Sequence, residues 1–318
     1  MVNNQKSKNA VLTMLINANG YISGEVIAEK LKISRVAVNK TVKKLRSEGY
    51  DITSVTNKGY FLNVKGHLSC EVISEKCKIA NVSVIEETIS TNNDAKILAE
   101  KGETAVIISK KQTGGKGRNG RKFHSLYGGV YFSVILRPNL SIADGVKITT
   151  FTAVAVANAI EKLSGLKVDV KWVNDLFVNG KKICGILTEA GCDFERGKLQ
   201  YAVVGVGINV DDVDFPNDIK NIATNIERES GKKIDKNLLI IEILNCLKNV
   251  ENEVLKGDYL QEYKRRLFIL GKKVRVYSGL EEYDAIPLDV TESGGLKVDK
   301  NGEIITVSSG EVSVKLND

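Results

Sequence analysis

The densest concentration of reactive side chains in this 318-residue chain is one run, Lys110-Lys111-Gln112-Thr113-Gly114-Gly115-Lys116-Gly117-Arg118-Asn119-Gly120-Arg121-Lys122. It holds six cations, four glycines and no acid. Glycine lets a backbone approach a ligand closely or adopt positive φ. Arg and Lys add fixed charge with forked or point-like donors. Together these features read as a lid for an anion such as a phosphate. A solvated basic loop or a nucleic-acid patch would have the same composition. The run is not a P-loop. Gly115 and Gly120 have the required spacing, but Arg121-Lys122-Phe123 follows where Lys-Ser/Thr and a helix are needed.

Other polar groups stand at the ends of apolar segments. Ser90-Thr91-Asn92 precedes a helical pattern, so Ser90 and Thr91 either cap that helix or touch a ligand. Lys171, Asn174 and Asp175 stand at the end of an apolar strand expected over 168–176. They suit a Mg²⁺-nucleotide, with Asp and Asn as oxygen donors and Lys on a phosphate, or else they form a turn. Lys182 enters a buried strand after the hairpin signal Asn179-Gly180, as a snorkelling edge residue or an anion contact. Val203-Val204-Gly205-Val206-Gly207-Ile208-Asn209-Val210 starts like a dinucleotide fingerprint but lacks the third glycine and the helix. Glycines inside a strand mark close approach of a neighbour or ligand.

Composition excludes several chemistries. Two histidines, His67 and His124, argue against a multi-histidine metal site and a Ser-His-Asp triad. Five cysteines, widely spaced and without a Cys-x-x-Cys pair, fit reduced thiols in a cytoplasm better than a disulfide framework or zinc site. No apolar run approaches the length of a membrane span. The polar start Met1-Val2-Asn3-Asn4-Gln5 lacks a signal-peptide core.

The elements that must position these groups follow from periodicity. Ala105–Ile108 and Gly129–Leu136 read as strands flanking the basic loop, and Val82–Ile85 as another strand. Long helices are expected over 146–163, 236–256 and 258–270, the last stopped by Gly271. From 274 onward, short strands separated by turns, including Asn301-Gly302, suggest a small β-barrel.

The N-terminal segment differs in charge. Residues 1–66 carry 11 Lys/Arg against 4 Asp/Glu; the rest carries 35 of each sign (46 − 11 and 39 − 4). The whole net charge of +7 therefore sits there, as expected of a nucleic-acid-binding module on a neutral body. Helices are expected over 8–18, ended by Asn19-Gly20, after Ser23, and over 35–48 behind the N-cap Ser34. A hairpin follows, Ile52–Val55 and Tyr60–Leu62 around Asn57-Lys58-Gly59. Three helices and a hairpin make a winged helix-turn-helix, with Ser34, Arg35, Asn39, Lys40, Lys43 and Lys58 placed to meet DNA. A protein-interaction domain with a solvated basic face is the competing reading. From Gly66, a linker leads to a short amphipathic helix.

With these motifs in order, the chain resembles the bifunctional biotin–protein ligases that double as biotin-operon repressors. The family loop Gly-Arg-Gly-Arg-x-Gly-Arg stands here as Gly115-Lys116-Gly117-Arg118-Asn119-Gly120-Arg121. Its Lys-Trp-Pro-Asn-Asp stands as Lys171-Trp172-Val173-Asn174-Asp175. Ser90-Thr91-Asn92 and Lys182-Ile183-Cys184-Gly185-Ile186-Leu187 match two further elements. Lys116 for arginine keeps the charge but loses the fork. Val173 for proline loosens the turn and removes no functional group. The resemblance implies an α+β chain of three domains: a winged helix-turn-helix over 1–65, a mixed α/β biotin ligase domain over 66–270, and a C-terminal SH3-like β-barrel over 271–318.

The resemblance also implies the chemistry. Ser90, Thr91, Asn92 and Gln112 would bind the ureido head of biotin. Lys116, Gly117 and Arg118 would fold over biotin and its adenylate. Lys182 would hold the biotin carboxylate and offset charge at the α-phosphate, with Lys182 and Arg118 as the catalytic pair. Lys171, Asn174, Asp175 and Asn209 are expected near phosphates, metal or ribose, with Mg²⁺ arriving on ATP rather than held by protein alone. Partners would be the biotin carboxyl carrier protein of acetyl-CoA carboxylase, operator DNA and, with adenylate bound, a second copy of the chain. Competing readings are a lipoate or octanoate ligase on the same fold, a biotin-sensing repressor with weakened ligase activity, and a ligase whose winged helix no longer binds DNA.

Overall fold

Apolar residues at helical spacing produce three N-terminal helices, α1 (Val2–Asn17), α2 (Gly24–Leu31) and α3 (Arg35–Ser47). The computed structural model describes residues 2–18, 20–63, 68–278, 281–308 and 311–314. Helix α1 begins well before the expected residue 8, since residues 2–7 contain neither Gly nor Pro to stop it. Ser23 and Ser34 act as N-caps, each hydroxyl accepting from the backbone N–H three residues on, Val26 and Ala37, at 3.1 Å. The apolar stripes meet in a core of Val11, Leu12, Leu15, Ile27, Val38, Val42 and Leu45. The hairpin pairs β1 (Asp51–Val55) with β2 (Gly59–Asn63), and Tyr60 also bridges to Ile22. Asn57 turns the chain at φ 65°. A Cβ on Gly59 would lie 2.2 Å from Ile22 O, so only glycine fits there. This is the expected winged helix-turn-helix. Helix α4 (Cys70–Cys77) follows. The expected stop at Asn19, the domain limit at 65–66, the linker start Gly66, and His67 lie outside the described residues.

The chain divides into two units, 1–82 with 235–241, and 83–234 with 242–318. The second is built on a seven-stranded sheet in the order β3-β4-β5-β9-β8-β7-β6. Its strands are β3 (Val82–Ile85), β4 (Val106–Ser109), β5 (Val130–Leu136), β6 (Asp169–Lys171), β7 (Asp175–Val178), β8 (Lys181–Asp193) and β9 (Lys198–Ile208). Helix α5 (Thr91–Glu100) lays Ala95 and Ala99 on Ile107, Ile135, Tyr201 and Val203. Helix α6 (Gly145–Ser164) packs on β8, where Thr149 Oγ1 and Thr188 Oγ1 meet at 2.8 Å. Strand parity sends Thr188 and its neighbour Glu189 to opposite faces of the sheet.

Two expectations need correction. The run 168–176 is not one strand: β6 and β7 are antiparallel, with Lys171 opposite Asp175 and a turn at 172–174. Buried anchors hold that turn: Trp172 Nε1 donates to Gly294 O at 3.0 Å and Tyr263 OH to Val173 O at 3.0 Å. The Trp172–Val173 peptide is cis. The helix expected over 236–256 is two, α8 (Lys236–Leu247) and α9 (Val250–Lys256). Asn249 leaves helical geometry at φ −100° and ψ 13°, as a short polar side chain that competes with the helix backbone. Between β9 and α8 lies α7 (Ile226–Ser230), and α10 (Tyr259–Arg266) ends short of the expected residue 270. Arg266, 5% exposed, ties α10 to α6 through Glu161 at 2.6 Å and Asn158 at 2.7 Å.

The C-terminal strands are β10 (Val274–Ser278), β11 (Glu281–Val290), β12 (Leu296–Lys300), β13 (Glu303–Val307) and β14 (Glu311–Val314), in the order β13-β12-β11-β10-β14. Asn301 and Gly302 make the β12–β13 turn at φ 54° and 93°. Among the described residues, β13 and β14 are edges, so the five strands form a sheet that is not closed.

Candidate active site

Register builds a floor of missing side chains. Ser133 on β5, Gly205 on β9 and Leu187 on β8 stand opposite one another, and so do Tyr131, Gly207 and Gly185. These positions share one face of the sheet. A Cβ on Gly205 would lie 2.1 Å from Asn92 Oδ1, and one on Gly207 would lie 2.5 Å from the Phe123 ring. The two strand glycines therefore admit neighbouring side chains onto the sheet, one of the readings left open above.

The basic run folds back over this floor as a hairpin. Lys116 pairs with Lys122, Gly117 N donates to Arg121 O at 2.7 Å, and Phe123 N donates to Gly115 O at 2.9 Å. A 3₁₀ turn over Arg118–Gly120 closes it, with Asn119 left-handed at φ 54° and ψ 31°. Gly115 is required by close approach: a Cβ there would sit 2.5 Å from Phe123 O.

Beneath the hairpin is a cavity of about 280 Å³. Every residue assigned above to biotin or nucleotide lines it: Ser90, Thr91, Asn92, Gln112, Lys116, Gly117, Arg118, Lys171, Asn174, Asp175, Lys182 and Asn209. One group of these residues is neutral and hydrogen-bonded. Ser90 caps α5, which places Thr91 and Asn92 in its first turn. Gln112 Oε1 accepts from Thr91 N at 2.8 Å, while its Nε2 donates to Ser125 Oγ at 2.8 Å.

A second group is ionic. Lys182 Nζ lies 2.7 Å from Asp175 Oδ1, and Lys171 Nζ lies 4.0 Å from Asp175 Oδ2. Lys182 also sits 5.7 Å from the centre of the Phe123 ring. Asp175 is the one acid among the described lining residues, against Lys116, Arg118, Arg121, Lys122, Lys171 and Lys182. Such a set can neutralise a carboxylate and phosphates together. Asn174 Nδ2 donates to Ile186 O at 2.8 Å, and Asn209 Nδ2 to Thr224 O at 3.1 Å, so both amides also brace backbone. Burial pushes the neighbouring Cys184 thiol and Tyr263 phenol up, which keeps both neutral and unsuited to act as nucleophiles.

Among known proteins, a model of the Biotin/lipoate A/B protein ligase family matches residues 82–209, and a model of an HTH domain matches residues 8–61. The bifunctional ligase/repressor BirA of Bacillus subtilis is 39% identical over 238 residues, covering 72% of this chain and 73% of that protein. The bifunctional ligase/repressor BirA of Escherichia coli is 30% identical over 306 residues, 94% of each. The chain belongs to the bifunctional biotin–protein ligase/repressor family. A solved biotin protein ligase from Aquifex aeolicus, in complex with biotin and ATP, matches with a TM-score of 0.64 at 25% identity, over 75% of this chain and 100% of that one.

Within this family member, motif reasoning missed Ser133, Glu189, Lys96 and Phe123. Phe123 stands on the Gly185–Gly207 floor, edge-on to Tyr131 at 6.3 Å. Ser133 is a hydroxyl inside the otherwise apolar run 130–136, a detectable signal. Glu189 shares strand parity with Gly185 and Leu187, so only a known strand boundary would have placed it. In the helix-turn-helix, Arg35, Lys40, Lys43 and Lys58 are exposed. Ser34 serves as the α3 cap, and Asn39 Nδ2 donates to Tyr60 OH at 3.2 Å, joining α3 to the wing. Arg46 instead donates to Ile52 O at 2.7 Å and holds the hairpin.

Proposed function

We propose that the chain is an ATP-dependent biotin–protein ligase that represses transcription when its adenylate is bound. The carrying observation is the chemistry of the cavity lining, hydrogen-bonding neutral groups on a glycine floor beside cations around one acid. A cyclic urea matches the first set, and a carboxylate with an α-phosphate matches the second. The winged helix and the loop Gly115-Lys116-Gly117-Arg118-Asn119-Gly120-Arg121 favour biotin over lipoate or octanoate.

In the first step a biotin carboxylate oxygen bonds to the α-phosphorus of ATP, the bond from that phosphorus to the bridging oxygen breaks, and pyrophosphate leaves. Lys182 binds the carboxylate and offsets charge developing at the phosphorus. Ser90, Thr91, Asn92 and Gln112 hold the ureido head. Lys116, Gly117 and Arg118 cover biotin and adenylate, excluding water from the mixed anhydride. Lys171, Asn174, Asp175 and Asn209 face the phosphates, metal or ribose. Mg²⁺ enters with ATP, and Asp175 fits its preference for one or two carboxylates plus substrate phosphates. In the second step the ε-amine of a lysine on the carrier protein attacks the anhydride carbonyl, AMP leaves, and an amide remains. No protein nucleophile is needed, so catalysis rests on positioning and electrostatics.

The carrier is the biotin carboxyl carrier protein of acetyl-CoA carboxylase, and the setting is the cytoplasm. Domain limits at 1–65, 66–270 and 271–318 and an SH3-like barrel at the C-terminus belong to the same reading. For repression, adenylate promotes a homodimer whose Ser34, Arg35, Asn39, Lys40, Lys43 and Lys58 meet a two-part operator. Incubation of the full chain with MgATP, biotin and a carrier domain should biotinylate one carrier lysine; modification only when lipoate replaces biotin would overturn the ligase assignment. Ultracentrifugation should show more dimer with adenylate than without, and an unchanged monomer fraction would refute the regulatory half.

A further inference from the structure

Glu189 leaves β8 on the cavity face, two residues past Leu187, but is not among the residues lining the cavity. One carboxylate oxygen accepts from Asn92 Nδ2 at 2.8 Å and the other from Lys96 Nζ at 2.9 Å. The second Asn92 amide hydrogen goes to Leu187 O at 3.3 Å. A carboxylate and a carbonyl only accept, so this end of the Asn92 amide must be its NH₂. Its oxygen is therefore fixed at the other end, over Gly205.

Ser133, opposite Gly205 in register and fully buried, completes the arrangement. Its Oγ lies 2.6 Å from Asn92 Oδ1 and 2.7 Å from Thr91 Oγ1. An amide oxygen has no proton to give, so the single Ser133 proton goes to Asn92. The Ser133–Thr91 contact then takes the Thr91 proton. The rival acceptor for that proton, Gln112 Oε1, is further away at 3.2 Å and already accepts from Thr91 N. Every group in this row donates toward Glu189, and Thr91 Oγ1 is left as an acceptor for the cavity. Burial alone would raise the Glu189 carboxyl, but hydrogen bonds from Lys96 and Asn92 outweigh it and hold it below the usual range. The anchor of the row thus stays ionised and purely accepting.

We propose that Glu189, acting through Asn92 and Ser133, sets the hydrogen-bond direction of the head pocket so that Thr91 Oγ1 accepts from a ureido N–H of biotin. Glu189 and Ser133 are positioning residues, and Lys96 fixes which Glu189 oxygen faces which partner. The inference rests on the assignment of Thr91 and Asn92 to the biotin head.

The test measures KM for biotin and for ATP, and kcat, in pyrophosphate release by the full chain. In Glu189→Gln, Lys96 requires an oxygen, so the glutamine turns its NH₂ to Asn92; Asn92 must flip, and the row reverses. Biotin KM should rise about tenfold, with kcat and ATP KM changed less than about twofold. Adding Lys96→Met frees the glutamine oxygen for Asn92, so the double variant should recover most of the biotin KM. A merely structural role would make the double variant worse than the single one, and that result overturns the proposal. Ser133→Ala, which removes only a hydroxyl, should raise biotin KM similarly and decides the matter if Glu189→Gln does not fold. Thr91→Val separates the two levels. If it raises biotin KM while Glu189→Gln and Ser133→Ala do not, the positioning proposal fails alone; if it leaves biotin KM unchanged, the head-pocket assignment fails with it.

Discussion

A methyl group at position 205 should disable the head pocket. In Gly205→Ala the new Cβ would lie 2.1 Å from Asn92 Oδ1, 2.8 Å from its Cγ and 3.1 Å from its Nδ2. Carbon–oxygen contacts settle at about 3.3 Å, so the amide must withdraw by roughly 1 Å. The backbone cannot retreat instead, since Gly205 is paired with Ser133 on one side and Leu187 on the other. Withdrawal stretches the 2.6 Å Ser133–Asn92 contact past hydrogen-bonding range and disturbs the bonds to Glu189 and Leu187. A buried hydroxyl without its acceptor costs about 1–3 kcal/mol, and the weakened neighbours bring the total to about 2–3 kcal/mol. For a unit of this size that lowers Tm by about 5–10 °C. Biotin affinity should fall about tenfold or more, with ATP affinity nearly unchanged. Scanning calorimetry and isothermal titration read the two effects. A variant that keeps both its Tm and its biotin affinity would refute the claim that Asn92 rests on Gly205.

Three further outcomes follow from other parts of the molecule. Lys182→Ala removes the cation paired with Asp175 and should slow pyrophosphate release by about 10²–10³-fold; a single-turnover rate close to wild type would remove Lys182 from the chemistry. Arg266→Met leaves Glu161 and Glu262 without their buried partner and should cost about 3 kcal/mol in denaturant unfolding. The Arg266 hydrogen bond holds the Glu161 carboxyl below its ordinary value, with burial acting the other way. That contribution is therefore complete above the unfolded-state pKa of about 4.3 and is lost as pH falls through the lower folded value. The gap between wild type and Arg266→Met should narrow over that acid range, and a gap that widens on acidification would contradict the assignment. Lys43→Ala on the exposed face of α3 should weaken binding to all DNA sequences alike and reduce the salt slope by about one; an unchanged slope in gel shifts would place Lys43 off the phosphates.

The polar clusters are legible in the sequence because each is contiguous and its function depends on local geometry. Ser90 announces a helix start, and the hairpin over 115–123 needs the glycines that mark it. Ser133 stands out as a hydroxyl in an apolar run, but its link to Glu189 through Asn92 is not legible, since it depends on the register of three strands brought together from distant parts of the chain. The turn at 172–174 is legible only as the alternative that Asn174 and Asp175 favour. Its Trp172 and Val173 are buried, so the apolar run has the look of a strand, and the groups that hold the turn, Gly294 O and Tyr263 OH, lie far along the chain. The break at Asn249 is masked by apolar residues that keep helical spacing across it. In the N-terminal unit, caps, turn residues and apolar stripes all act within a few residues of one another, and there the expected and observed elements agree most closely.

If the cavity under the basic hairpin joins biotin to AMP, the product should be visible directly. Mass spectrometry of the chain incubated with biotin, ATP and Mg²⁺, beside a sample with lipoate in place of biotin, is the most direct test. Retained biotinyl-5′-adenylate is expected in the first sample and no lipoyl-adenylate in the second. Bound biotin without adenylate, or an adenylate formed only from lipoate, would contradict that chemistry.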